Sequence, residues 1–222
     1  MTLPHPVAAV VFDMDGLLFD TERLYGLAGQ SAARELGCEL AADVFTQLIG
    51  TTWQECRRIL LTNYGPAYPF EELEAVWMRH FGMLAETGLE LKPGALELLD
   101  LLDALDLPRA IATSSSRKTV DHHLAAHGLA ERFTGIVAAG DYAAGKPAPD
   151  PFLKAAERLG VDPRRCLALE DSPNGGRSAA TAGMMTVMVP DLVQPTVEVR
   201  GLCATVATSL LEVPALVRAS FG

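Results

Sequence analysis

The chain has 222 residues, of which 49% are hydrophobic and 21% charged, with a net charge of −10. That balance describes a globular protein of one or two domains, long enough to bury a core without staples. It opposes binding to nucleic-acid phosphates, and no run reaches the roughly 18 apolar residues of a membrane span, so neither partner is expected.

Residues 7–12 read as a first, buried strand. A helix is predicted from Asp20 to Leu36, stopped at Gly37. Residues 43–88 keep a helical texture with no strand signal. Within them Thr52 is a candidate cap for a helix through Asn63, Gly65-Pro66 punctuates, and Pro69 to Glu86 holds another helix. The rhythm then changes. Helices are predicted over 95–105, 117–127, 150–159 and 173–182, alternating with strands over 109–113, 135–138, 166–170 and 185–189. Gly128, Gly160 and Gly183 stop three of these helices. This alternation predicts a doubly wound parallel α/β sheet with right-handed crossovers, carrying a helical insert after its first strand. The stretch from Pro190 to Pro195 and the last twenty residues read as periphery. Cys38, Cys56, Cys166 and Cys203 form no CxxC or zinc pattern and are expected to be reduced thiols, and with no charged-then-apolar leader the expected location is the cytoplasm.

Two carboxylates, Asp13 and Asp15, stand where the first apolar strand ends, at the mouth of the crevice in which parallel sheets bind ligands. Close acids repel unless a cation or a proton relieves them, so the pair suggests a metal site or a nucleophile with an acid partner. An Asp-Gly turn is the plain alternative for Asp15-Gly16. Glu170-Asp171 ends a later strand, where it is either a second half of such a site or a helix cap. Thr113 and Ser114 could equally cap the helix that follows them. Taken alone, Lys146 is a solvated loop charge.

The order of these groups changes their reading. Val-Phe-Asp-Met-Asp-Gly-Leu-Leu-Phe-Asp-Thr-Glu at 11–22 resembles the first motif of the haloacid dehalogenase-like hydrolase superfamily. Ala110 to Ser115, Lys146 in Gly-Lys-Pro-Ala-Pro-Asp-Pro-Phe, and Leu167 to Gly175 look like its second, third and fourth motifs. The resemblance implies a Rossmann-like core over 1–19 and 91–222 with a helical cap over 20–90, hinged near Phe19-Asp20 and Glu90-Lys92 and closing over the site. It further implies that Asp13 is the nucleophile, forming an aspartyl-phosphate, and that Asp15 is the general acid and base, offering its backbone carbonyl to the metal. Thr113, Ser114 and Lys146 would bind the phosphoryl group. Asp171 would hold the cation directly, with Glu170 behind it or bonded through water. Oxygen ligands with a phosphate point to Mg²⁺.

Asp15 sets dehalogenation aside, because carbon-attacking and phosphonate-cleaving members lack it. The expected activity is a Mg²⁺-dependent phosphatase acting on a small phosphorylated metabolite, as a monomer or weak homodimer. A β-phosphoglucomutase-type mutase is the alternative. Against it, the mutases' cap histidine and arginine are replaced by Tyr25 and Trp53, and their cap lysine has no obvious counterpart. A non-catalytic binding protein would not need both a nucleophile and an acid. The runs 13–25, 112–115 and 187–191 look most like the pseudouridine-5′-phosphatase group, although much of that is shared framework. The five histidines and both tryptophans are expected to be surface or packing residues. Gly175-Gly176 is unusual for a first helical turn, where each glycine costs about 1 kcal/mol relative to Ala.

Overall fold

The computed structural model describes residues 3–49, 51 and 53–221. They group into two compact units, one running through Phe19 and resuming at Leu91, the other spanning Asp20–Glu90.

The first unit is built on six parallel strands: β1 (Ala9–Phe12), β2 (Arg109–Ser116), β3 (Gly135–Ala139), β4 (Cys166–Glu170), β5 (Met185–Met188) and β6 (Thr205–Val206). Their order is β3-β2-β1-β4-β5-β6. The chain leaves β1 to one side for β2 and β3 and to the other for β4, so the order reverses at β1. This is the switch point at which an open α/β sheet binds its ligands. The register pairs Val11 with Ala110 on one side and Ala168 on the other. All four residues of β1 are fully buried, as a central strand covered on both faces requires. Between the strands run α5 (Ala95–Ala104), α6 (Arg117–Ala126), α7 (Asp150–Leu159) and α8 (Pro173–Thr181), with α9 (Val197–Leu202) and α10 (Val213–Ala219) near the chain end.

The second unit holds α1 (Thr21–Leu36), α2 (Ala42–Leu48), α3 (Trp53–Tyr64) and α4 (Phe70–Gly88). Gly37 closes α1 in the left-handed conformation, φ 65°, its N–H returning to Ala33 and Arg34 carbonyls. Thr52, the expected cap of α3, lies outside the described residues. The core of this unit is aromatic. Trp77 is fully buried, and the Tyr25 ring lies 4.9 Å from it and 6.1 Å from Trp53.

The four cysteines are free thiols. Among the described residues no helix is long and apolar enough to cross a membrane.

Candidate active site

Every strand end near the switch point contributes a polar group. Asp13 follows β1 directly, its N–H bonded to the Leu169 carbonyl at 2.9 Å, which carries the β1–β4 ladder one residue past the strand. Thr113 lies in β2, Glu170 closes β4, and Asp171 follows it. All four side chains are buried, Glu170 completely. Lys146, from the loop between β3 and α7, reaches the same place with its side chain only 8% exposed.

Its ammonium bonds Asp13 Oδ1 and, at 2.5 Å, Glu170 Oε1. The Phe152 ring lies 5.1 Å from Nζ and adds a cation–π contact. Burial pushes the Asp13 carboxyl well above the usual carboxylate range; Lys146 opposes this, while Glu170 and Asp15 reinforce it. Burial works against the Lys146 charge as well, but Asp13 and Glu170 outweigh it and raise its pKa. One ammonium between two buried carboxylates leaves the cluster short of positive charge. Asp13, Glu170 and Asp171 offer carboxylate oxygens within 4.8 Å of one another. An all-oxygen set with negative charge to neutralise suits a hard divalent cation. Both Glu170 oxygens are already engaged, Oε1 by Lys146 and Oε2 by the Ser172 N–H and hydroxyl at 3.0 Å each.

Asp15 is held by a different set of partners, the hydroxyls of β2. Its Oδ2 accepts from the Ser115 hydroxyl at 2.7 Å and from the Thr113 hydroxyl at 3.3 Å, while the Ser115 N–H bonds Thr113 Oγ1 at 3.0 Å. Gly16, at φ 81°, turns the chain immediately afterwards, and its N–H bonds the Phe19 carbonyl at 3.0 Å. Phe19 then bridges both Asp15 and Leu91. The structure therefore brings together Asp13, Lys146, Glu170 and Asp171, and separately Asp15 with Thr113, whereas Ser114 is exposed. Ser115 is the residue sequence reasoning missed. A strand ending at 113 hides it; β2 runs on to Ser116 with a break in register against β3 between Ala112 and Ser116, and in that stretch the Thr113 and Ser115 hydroxyls both turn to Asp15 while Ser114 is exposed.

The two glycines of α8 have separate steric reasons. A Cβ on Gly175 would lie 1.7 Å from Glu170 Oε1, and one on Gly176 would lie 2.9 Å from Met188 Sδ. Ser172 caps this helix by accepting from the Gly175 N–H at 3.1 Å while donating to Glu170. The cap expected of this segment is thus made by Ser172, with Glu170 bonded to both Ser172 and Lys146.

His123 is buried against the Phe19 ring at 5.6 Å, and its Nδ1 has no hydrogen-bond partner among the described residues. Burial lowers its pKa, with Asp15 opposing that shift. His80 instead bonds Glu35 at 2.8 Å.

Comparison with known proteins places this geometry in a family. Residues 7–183 match the family model described as haloacid dehalogenase-like hydrolase. The chain is 39% identical over 191 residues to a Drosophila melanogaster protein named "Probable pseudouridine-5'-phosphatase", covering 83% of this chain and 82% of that one. It is 36% identical over 200 residues to the plasmid protein CbbY of Cupriavidus necator, covering 82% and 78% respectively. The crystal structure of CbbY from Rhodobacter sphaeroides in complex with phosphate superposes with a TM-score of 0.77 at 28% identity, over 93% of this chain and 96% of that one. The chain therefore belongs to the haloacid dehalogenase-like hydrolase family, and it is an enzyme.

Proposed function

We propose that the protein is a Mg²⁺-dependent phosphatase that hydrolyses a small phosphorylated metabolite, a sugar phosphate or nucleotide-like monoester, through an aspartyl-phosphate on Asp13. The observation that carries this reading is the Lys146 ammonium bonded at once to Asp13 and Glu170, two residues from an Asp15 carboxyl held by hydroxyls. A nucleophile beside a fixed cation and a separate acid is the equipment that phosphoryl transfer requires.

In this reading an Asp13 carboxylate oxygen attacks phosphorus while the bond to the leaving oxygen breaks, and Asp15 gives that oxygen its proton. Asp15, now ionised, then takes a proton from water. The resulting hydroxide attacks the aspartyl-phosphate, releasing inorganic phosphate and freeing Asp13. Lys146 offsets charge on the transferring group, the Ser114 N–H donates to its oxygens, and the Thr113 hydroxyl does so on turning away from Asp15. Asp13 and Asp171, with the Asp15 backbone carbonyl, would hold Mg²⁺, which supplies further positive charge to the phosphoryl group. Glu170 acts by anchoring Lys146. The mutase alternative is disfavoured by Tyr25 and Trp53, which stand where the mutases carry cationic cap groups and pack into the aromatic core of their own unit.

The deciding experiment is phosphate release with MgCl₂ from sugar phosphates, nucleoside monophosphates and pseudouridine 5′-phosphate, with Asp13→Asn in parallel. Release that disappears in the variant supports the phosphatase. Absence of release across the panel removes it and turns the test to β-glucose 1-phosphate.

A further inference from the structure

We propose that Tyr142 is a positioning residue, its phenol hydroxyl tying the loop that carries Lys146 to the strand end that carries Thr113. The catalytic half of this inference rests on the phosphatase reading; the anchoring half does not.

Tyr142 sits four residues before Lys146, and its hydroxyl donates to the Thr113 main-chain carbonyl at 3.1 Å. Its ring packs, half buried, against the small-residue core that includes Ala112, Val137 and Phe152. The rest of the loop is bonded to other elements. Asp141 accepts from the Ala138 N–H at 3.0 Å in β3, Asp150 accepts from the Ala144 N–H at 3.1 Å in α7, and Ser178 donates to the Ala148 carbonyl at 2.5 Å from α8. The pairing of Ala139 with Ser116 fixes the start of the loop against β2, and Tyr142, three residues further along and nearer Lys146, adds a side-chain tie to Thr113. Through Lys146 the same loop grips the ends of β1 and β4. Three strand ends are thereby referred to one short segment, and the Thr113 held by its carbonyl is the residue whose hydroxyl bonds Asp15. The arrangement keeps Lys146 in register with the acid and the phosphoryl-binding hydroxyl. Displacements of about 1 Å in such constellations cost up to about 100-fold in rate.

A ring used only for packing would not need its hydroxyl, so Tyr142→Phe separates the two roles. The probes are p-nitrophenyl phosphate with MgCl₂, thermal melting, and amide hydrogen exchange across 140–149. The expected result is a kcat about tenfold lower with KM within about twofold, a Tm close to wild type, and faster exchange at 143–146 but not within α7. Wild-type kcat and wild-type exchange in Tyr142→Phe, with a lowered Tm only in Tyr142→Ala, would reduce the residue to packing and overturn the proposal. Faster exchange in Tyr142→Phe, with no phosphate released by either protein from p-nitrophenyl phosphate or from the sugar phosphates, nucleoside monophosphates and pseudouridine 5′-phosphate, would support the anchor while overturning the phosphatase reading and its catalytic consequence.

Discussion

The helical unit closes around a linked set of aromatic rings, and the α/β unit closes around aliphatic side chains, a few phenylalanines and buried charge. In the first, Trp77, Leu60 and Leu73 are fully buried and Thr21 is the single buried polar residue among those described. In the second, Asp13, Arg109, His123, Glu170 and Asp171 are all buried, beside strands rich in Ala and Val. The difference teaches that the two units are stabilised by different quantities. Ring burial scales with area and volume and is forgiving of charge elsewhere. A buried charge is stable only through its partner, so altering one member strands the others.

The strongest test of that contrast is Lys146→Met, which leaves Asp13 and the fully buried Glu170 without their shared counter-charge. Urea unfolding should show a loss of about 3–5 kcal/mol, and phosphate release should fall by about 10²–10³ or more. A loss under about 1 kcal/mol would mean that the carboxylates are solvated and the contrast is false. Trp77→Ala should cost the helical unit about 3–5 kcal/mol by the same assay, with the loss unchanged by MgCl₂ because no charge is exposed.

A smaller pair sharpens the comparison. In Gly29→Ala the new methyl would lie 2.4 Å from Trp77 Cζ2, and in Gly175→Ala it would lie 1.7 Å from Glu170 Oε1. Each should lose about 1–3 kcal/mol through overpacking. Only Gly175→Ala should also lower kcat, by about tenfold, because it displaces the anchor of Lys146. Equal kcat in the two variants would count against that anchor.

The smallest effect is in pH. Burial lowers the His123 pKa in the folded chain, so in the window below the ordinary histidine value of about 6.5 the unfolded chain binds the extra proton. Stability should rise with pH through that window and fall on acidification. His123→Phe should make the decline in Tm between about pH 7 and pH 5 shallower. An identical slope would show that the ring takes up its proton in place.

Much of the α/β unit was legible because its strands are buried on both faces and its helices end at glycine: Gly160 caps α7 in the left-handed conformation after a clear apolar stripe. The short elements were not. Helix α2 has seven residues and no side-chain cap, and it blends into the helical texture around it. Strand β6 has two residues, and its pairing of Thr205 with Val187 is made by the sheet, not by any periodicity of its own. In the site, a lysine in a Gly-Lys-Pro loop carries no local mark of function; only its place in an ordered set of motifs singled it out. Ser115 escaped because its relevance depends on how far β2 extends, a matter of pairing with β3 out to Ala139 opposite Ser116.

By itself the sequence determined the alternation of strands and helices, the acids at two strand ends and the order of the motifs, since all three depend on neighbouring residues and on spacing. Tertiary structure decided which oxygen meets which donor. It turned Glu170 towards Lys146 and Ser172, gave Asp15 to Thr113 and Ser115, required a bare Cα at Gly175, and joined Tyr142 to Thr113. Asp15 and Ser115 are a hundred residues apart in the chain, and Lys146–Glu170 and Tyr142–Thr113 join separate elements, so these contacts exist only in the assembled sheet, whereas Glu170–Ser172 is local to the end of β4.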